Sequence, residues 1–519
     1  MLPITVLHTD VCDTACDLLV VYVQKDRWEH ERVIERIDQA FDGRLLPFLR
    51  QERFDGAHGT RVTLPTFGCM KARKVCVIGL GEISSGKTDA LRIAGGQLAK
   101  IAKEAKTKRI ATVSPVHGAL GPEYEALIQA FAEGVALGAY EFSDHFGTRT
   151  RGKERFVFSS VALIEPDAAR CRAIEKALRR ADVIVAATSY ARDLINTSPR
   201  HMKPADLAAA AKAIVKRGSG ITCKVYDRAA MERMGMGAAL AVAEGSAHAP
   251  YFVHLTYTPK RKPLRRIALV GKGVTFDSGG LSLKPADAMT NMKIDMGGAA
   301  VVIGAFSALA DLALPVEVHG VFAAVENMPS GTSYRPGDVV RAMNGMTIEV
   351  LNTDAEGRVT MADSLSYTVK RIKPDAILDF ATLTGAVIVA LGDDCTGYMS
   401  NDRSLARAVG KAAKTAGELF WELPLFSHYD EALRSKVADV NNTGGRSAGA
   451  IKAGLFLKHF VGNVPWVHCD IAGPVFCEKE YRADMPYGGT GVGVRTVLAY
   501  LEDLVNEKKI AKSSPKKRS

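Results

Sequence analysis

Two short stretches hold the groups best suited to chemistry. In RRIALVGKGVTFDSGGLSLKP, Lys272, Asp277 and Lys284 stand in a glycine-rich segment directly after an apolar run, and Asp295 follows just before Met296-Gly-Gly-Ala-Ala. In IEVLNTDAEGR, Asp354, Glu356 and Arg358 are spaced two apart; in extended backbone such positions share a face, so all three would point into one space. Four carboxylates in one cleft repel unless cations neutralise them, and two divalent ions balance four negative charges. Oxygen ligands favour hard ions such as magnesium, manganese or zinc. Two such ions ~3.5–4 Å apart activate a water and polarise a carbonyl, which is metal-assisted hydrolysis. Lys272 could bind as a neutral amine, because adjacent dications favour loss of its proton. Lys284 and Arg358 stay positive and suit a developing oxyanion or a bound anion. The plainer reading of the same residues is a set of surface salt bridges.

The elements that must position these groups are legible on both sides of them. From the N-terminus, apolar β-branched runs (DLLVVYV, KVCVIGL, RIATVSP, RFVFSSVALIEP) alternate with helical patterns near Glu29 to Ala40, near Asp89 to Ala105 and after Pro122, which predicts an α/β domain over 1–166. A helical pattern without Gly or Pro then runs from Asp167 until INTSPRHMKP punctuates it, predicting a linking helix over 167–196. A second, larger α/β series over 197–507 has strands at ITCKVY, FVHLTY, RRIALVG, VEVHGVFAAV, TIEVLNT, DAILDFATL and WVHCDIA, with helices at Pro204 to Lys216, Gly297 to Leu312 and Met361 to Ile372. Continuous apolar strands joined by helices predict a mixed, mostly parallel sheet covered on both faces, with its site at the carboxyl ends of strands.

Composition narrows the class. The chain of 519 residues is 47% hydrophobic and 24% charged, ordinary globular values that exclude disordered and fibrous proteins. Its longest charge-free stretch, Met296 to Ala310, is shorter than the ~18 apolar residues a spanning helix needs, so no membrane is expected. MLPITVLHTD lacks the basic start of a secretory signal, and nine scattered cysteines contain no CxxC pair; a reducing, cytoplasmic setting with free thiols follows. Of the net charge of +11, more than half lies in the last twelve residues, KKIAKSSPKKRS. This basic tail, 508–519, reads as disordered and solvated, with nucleic-acid contact as the sharper alternative.

Three other motifs compete and are set aside. Gly81 to Thr88 (GEISSGKT) fits GxxxxGK[ST] between a strand and a helix, but no glycine between Gly81 and Gly86 lets the backbone wrap a phosphate. A turn with solvated Lys87 and Thr88 is the plainer reading. Gly445-Arg-Ser447-Ala-Gly449 fits GxSxG, yet the polar DVNNTG precedes it, where a nucleophile elbow needs a buried strand. His30-Glu31 has no second histidine to complete HExxH.

NTDAEGR (Asn352 to Arg358) and VGKGVTFDSGG (Val270 to Gly280) closely resemble the leucyl aminopeptidase (cytosol aminopeptidase) family. MGMGAALAVAEGS, KIDMGGAA, ATLTGA and DIAG support the resemblance in the family's order, from about Asn196 to Leu501. It implies a two-metal aminopeptidase that releases leucine and other apolar N-terminal residues from small peptides. Lys272, Asp277, Asp295 and Glu356 resemble the ligands of the tighter ion; Asp277, Asp354 and Glu356 resemble those of the more exchangeable one. Manganese or zinc is implied, with magnesium or cobalt also suitable. Lys284 is similar to the lysine that polarises the scissile carbonyl, and Arg358 to the arginine that holds bicarbonate as general base. Met292, Thr382, Gly385 and Ala472 match the specificity pocket, and Leu383 the residue whose backbone contacts substrate. Val475 replaces a familiar methionine, and its shorter side chain implies room for residues bulkier than leucine. The family also implies a homohexamer, a dimer of trimers around an interior cavity. Some bacterial relatives double as DNA-binding proteins, so a DNA-binding protein on an aminopeptidase scaffold is the alternative function.

Overall fold

The computed structural model describes residues 4–25, 27–82, 87–116, 121–147 and 160–513, with Arg217 and 507–513 by backbone alone. The chain forms two compact units: Met1–Ala186 with Lys479–Pro486, and Ala187–Glu478 with Tyr487–Ser519.

In the first unit the β-branched run Leu18–Val23 is buried at every position and lies inside a six-stranded sheet. Across it the order is Ile4–Leu7, Ser160–Ile164, Arg109–Val113, Leu18–Val23, Lys74–Gly79 and Arg61–Pro65. Neighbours are parallel except the last pair. Helices Lys87–Glu104 and Gly121–Gly138 pack so closely that a methyl on Gly134 would lie 1.8 Å from the Arg92 carbonyl oxygen.

The linking helix exists as Ala168–Asn196, and the two units divide within it. The short return segment Lys479–Pro486 also belongs to the first unit, where Arg482 pairs with Asp89 at 2.7 Å and Asp484 at 3.0 Å. At the far end helix Val494–Ser513 includes the start of the basic tail, while 514–519 lie outside the described residues. So do residues 83–86 of the GxxxxGK motif; Lys87 is exposed, 3.5 Å from Glu123.

The second unit holds the larger mixed sheet. Its order is Leu419–Glu422, Cys395–Ser400, Trp466–Asp470, Ala376–Ala381, Arg266–Gly271, Glu317–Asn327, Tyr251–Tyr257 and Ile221–Tyr226, with Gly273–Asp277 also pairing the long strand Glu317–Asn327. The central strands Trp466–Asp470, Ala376–Ala381 and Arg266–Gly271 run parallel and are buried almost throughout, which explains their unbroken apolar sequences. Helix Gly297–Leu312 packs on them, buried from Gly297 to Leu309. Its seat is tight: a Cβ on Gly298 would come 2.0 Å from the Phe380 carbonyl oxygen. The stretch Met292–Leu312 is apolar and long enough to cross a membrane, but 78% of its most apolar 18-residue window is buried inside the protein. GxSxG lies before helix Gly449–Lys458, and the preceding strand is only Val440–Asn441, so no elbow presents Ser447.

Candidate active site

At Lys272 the sheet changes its pairing. Gly271 is opposite Phe380 at the end of one pairing, whereas the register with Glu317–Asn327 carries through from Val270 opposite Val321 to Gly273 opposite Ala324. Lys272 donates its backbone N–H to the Phe380 carbonyl (2.9 Å), and its own carbonyl accepts from Ala299 (2.8 Å). The side chain passes Gly357, where a Cβ would lie 2.5 Å from Lys272 Cε. Nζ ends 2.6 Å from Asp295 Oδ1 and 2.7 Å from Glu356 Oε1, and donates to the Thr382 carbonyl at 3.0 Å.

Beyond Lys272 the register shifts between Val274 and Asp277, an irregularity that re-aims a side chain. Asp277 Oδ1 accepts from Gly279 N–H and from Asn327 Nδ2, both at 2.8 Å, while Oδ2 lies 2.9 Å from Lys284 Nζ. Lys284 also pairs with Asp354. Oxygens of Asp277, Asp354 and Glu356 all fall within 4.8 Å of one another. Asp295 Oδ2 is buried without a hydrogen-bond partner among the described residues.

Four carboxylates here face two ammonium groups. Burial raises the pKa of Glu356, and Asp277 adds to it. Burial likewise raises Asp295 against the pull of Lys272, and Asp354 against the pull of Lys284. On Lys272 burial works against the charge, but Asp295, Glu356 and Asp277 outweigh it and hold the amine above the usual lysine range. Lys284 is raised in the same way by Asp277, Asp354 and Glu356. A negative excess with an orphaned buried carboxylate oxygen fits hard divalent cations, which take oxygen ligands.

The expectation that Asp354, Glu356 and Arg358 share one face of extended chain fails. Asn352 Oδ1 accepts from Asp354 N–H at 2.8 Å and turns the chain, and an α-helix starts at Glu356 and runs to Tyr367. Asp354 and Glu356 still reach one cluster because they flank that turn. Arg358, about 200° further round the helix, joins no ion pair with the cluster. Its Nη1 donates to the Asn442 carbonyl (3.0 Å), and its Nε has no partner among the described residues. Burial pushes its pKa down to about 10, with Glu356 and Asp470 pulling the other way.

Both domain types of one family match this chain: the "Cytosol aminopeptidase family, catalytic domain" over residues 189–498 and the N-terminal domain of the same family over 19–145. The chain belongs to the cytosol aminopeptidase family. It is therefore an aminopeptidase, a metal-dependent exopeptidase. A "Probable cytosol aminopeptidase" of Geobacter sulfurreducens is 42% identical, covering 97% of this chain and 99% of its own. One of Aquifex aeolicus is 44% identical over 90% of this chain and 92% of its own. Among solved structures, a mutant of tomato leucine aminopeptidase superposes with a TM-score of 0.86 at 35% identity, covering 96% of each chain. The bottromycin maturation enzyme BotP in complex with Mn does so with 0.82 at 34%, covering 94% of this chain and 100% of its own.

In the aminopeptidase the remaining expected positions lie around the ends of the same strands. Met292, half-buried, opens the short 3-10 turn Met292–Met296 that carries Asp295. Thr382 Oγ1 donates to Asp295 Oδ1 at 2.7 Å, and Leu383 N–H donates to Asp470 Oδ1 at 3.0 Å. Gly385 is exposed, with open space where a side chain would stand, and Ala472 is half-buried. Val475 is fully buried, and its Cγ2 sits 2.4 Å from where a Cβ on Gly297 would be. It presses on the start of the helix. Sequence reasoning gave no role to Asn327, Asn442 or Asp470, which hold Asp277, Arg358 and Leu383 in place. The available signal was a polar residue closing a largely apolar strand, Asn327 in VFAAVEN and Asp470 in WVHCD. A cavity of about 560 Å³ elsewhere in this unit, bordered by Arg200, Lys203, His248 and Glu326, contains none of the cluster.

Proposed function

We propose that this aminopeptidase is a two-metal leucyl aminopeptidase, releasing leucine and other apolar residues from the N-termini of small peptides. The observation that carries this reading is the convergence of Asp277, Asp295, Asp354 and Glu356 on Lys272 and Lys284. Lys272, once its ammonium gave up a proton to the incoming dication, would hold the tighter ion with Asp277, Asp295 and Glu356, and Asp277, Asp354 and Glu356 would hold the exchangeable one. Manganese or zinc suits these donors, as do magnesium and cobalt. Bound there, the ions supply Lewis acidity toward the scissile carbonyl and lower the pKa of a water.

The chain's own groups do the rest. Lys284, 14% exposed, donates to the carbonyl oxygen as negative charge grows on it. Arg358, fixed on one edge by Asn442 and open at Nε, holds bicarbonate as the general base. A free terminal amine would offer its lone pair to the tighter ion, which an acylated nitrogen lacks. Met292, Thr382, Leu383, Gly385 and Ala472 line the side-chain pocket, and Val475 supports it from behind. The names of the relatives support a cytoplasmic setting, and family membership supports a homohexamer, a dimer of trimers.

The test is hydrolysis of a chromogenic leucine amide by chelator-stripped protein, before and after manganese or zinc, with the N-acetyl analogue as control. Metal-restored activity confined to the free amine is expected. Silence of folded, metal-loaded protein, or equal cleavage of the acetylated compound, overturns the reading.

A further inference from the structure

The pocket proposed above has walls from two separate stretches of chain. One is Thr382 to Gly385, which follows strand Ala376–Ala381; the other is Ala472, which follows Trp466–Asp470. Between them lies a carboxylate that the proposed chemistry gives no direct part, although its charge is felt at Arg358. Asp470 is fully buried. Its Oδ1 accepts from Leu383 N–H (3.0 Å) and Ala472 N–H (3.2 Å), with Thr384 N–H more distant at 3.4 Å. Its Oδ2 accepts from Thr384 Oγ1 at 2.7 Å. The Thr384 oxygen in turn accepts from Val387 N–H (3.1 Å), capping helix Gly385–Leu391.

One buried anion thus gathers donors from both walls and fixes where the helix under Gly385 begins. A carboxylate suits the task because both of its oxygens only accept. An amide of the same shape presents a donor on one side, and that donor faces either the Thr384 hydroxyl or the backbone N–H groups. We infer that Asp470 is a positioning residue that sets the gap between Leu383–Gly385 and Ala472, and with it the choice of N-terminal side chain. The inference rests on the proposed pocket. Asp470 holds the wall at Leu383 and Thr384, whereas the proposed ligands Lys272 and Asp295 hold it at Thr382.

The test uses metal-loaded wild type, Asp470→Asn and the milder Thr384→Val, which removes the hydroxyl with both its link to Asp470 and its cap on Val387 N–H but keeps the backbone bonds to the carboxylate. Steady-state constants are measured for leucine, alanine and phenylalanine amides, with metal affinity by calorimetry alongside. Loss of bonds to a buried carboxylate loosens the pocket, so the leucine-to-alanine ratio of kcat/KM is expected to fall about tenfold in Asp470→Asn and roughly threefold in Thr384→Val. The change should reside mainly in KM, with metal affinity within about twofold of wild type. An even loss across all three amides, or unchanged ratios in both variants, overturns the inference. Should Asp470→Asn not fold, Thr384→Val alone decides. A wild type that binds metal but cleaves no amide instead removes the parent reading.

Discussion

Each unit of the molecule buries a knot of charge, and the two knots are built on opposite principles. In the first, Arg92 and Glu133, both 3% exposed, meet at 3.1 Å, and Gln129 donates to the second Glu133 oxygen at 2.8 Å. Arg92 also lies 3.7 Å from Asp89, which Arg482 holds at 2.7 Å, so Glu133 and Asp89 each have an arginine. In the second, Lys272 and Lys284 are outnumbered by Asp277, Asp295, Asp354 and Glu356, and one oxygen of Asp295 is left without a partner. A balanced buried pair locks two helices, whereas an unbalanced one stores a demand for something from outside the chain.

Substitutions should separate the two. Asp277→Ala removes a ligand shared by both proposed ions, and kcat/KM for leucine amide should fall about 10³-fold or more while circular dichroism stays native. Near-normal turnover would end the two-metal assignment. Glu133→Ala takes from Arg92 its nearer carboxylate, leaving Asp89 at 3.7 Å, and should cost about 3–5 kcal/mol in urea unfolding, with turnover per folded molecule unchanged; a stable variant would mean the pair is not structural. Between them stands Asn327→Ala, which releases Asp277 Oδ1. Its metal dissociation constant should rise roughly 10–100-fold, read by competition with a chromogenic chelator, and an unaltered affinity would show that Gly279 N–H suffices.

A third polar region stays neutral instead. Glu317 accepts from His319 Nε2 (2.8 Å), so His319 Nδ1 accepts from His254 Nε2 (2.9 Å), and His254 Nδ1 accepts from the Tyr367 hydroxyl (3.0 Å). Burial lowers the pKa of both histidines, that of His254 to about 4 with His319 and Lys224 adding. The folded state thus binds fewer protons than the unfolded one below the ordinary value of 6.5. Stability is full above that pH and declines as pH falls toward about 4. Between pH 7 and pH 5, Tm should drop by roughly 2–4 °C, and His254→Gln should flatten the slope; parallel curves for the two proteins would refute the neutral chain. The smallest effect is expected from deleting 508–519. Leucine amide hydrolysis should be unchanged, and retention on DNA should lack the steep salt dependence of phosphate contacts.

Much of the site was legible because its chemistry is local. Lys272 follows strand Arg266–Gly271 and Asp277 closes Gly273–Asp277; their type and place raised a cleft with cations beside plain salt bridges, and the family resemblance favoured the cations. What escaped was non-local. Asn327 acts on Asp277 across 50 residues, Asn442 on Arg358 across 84 and Asp470 on Leu383 across 87, and no spacing rule joins such pairs. The helix start at Glu356 was missed for another reason. TIEVLNT reads as a strand through its β-branched residues, but the strand ends at Glu349, and the Asn352 side chain bends the chain before Asp354. The division within Ala168–Asn196 and the return of Lys479–Pro486 to the first unit are tertiary facts with no composition shift to announce them.

The seat of helix Gly297–Leu312 makes the active site a matter of thickness. Gly271 and Gly298 let helix and sheet approach until a Cβ on Gly271 would lie 2.5 Å from the Gly298 carbonyl oxygen, and Lys272 binds Ala299 and Phe380 through its backbone at that same level. The distance between the layers is thereby also the ruler for the Lys272 ammonium. A single added methyl at 298 would pry the layers apart and register first as misplaced chemistry, well before it registered as an unfolded protein.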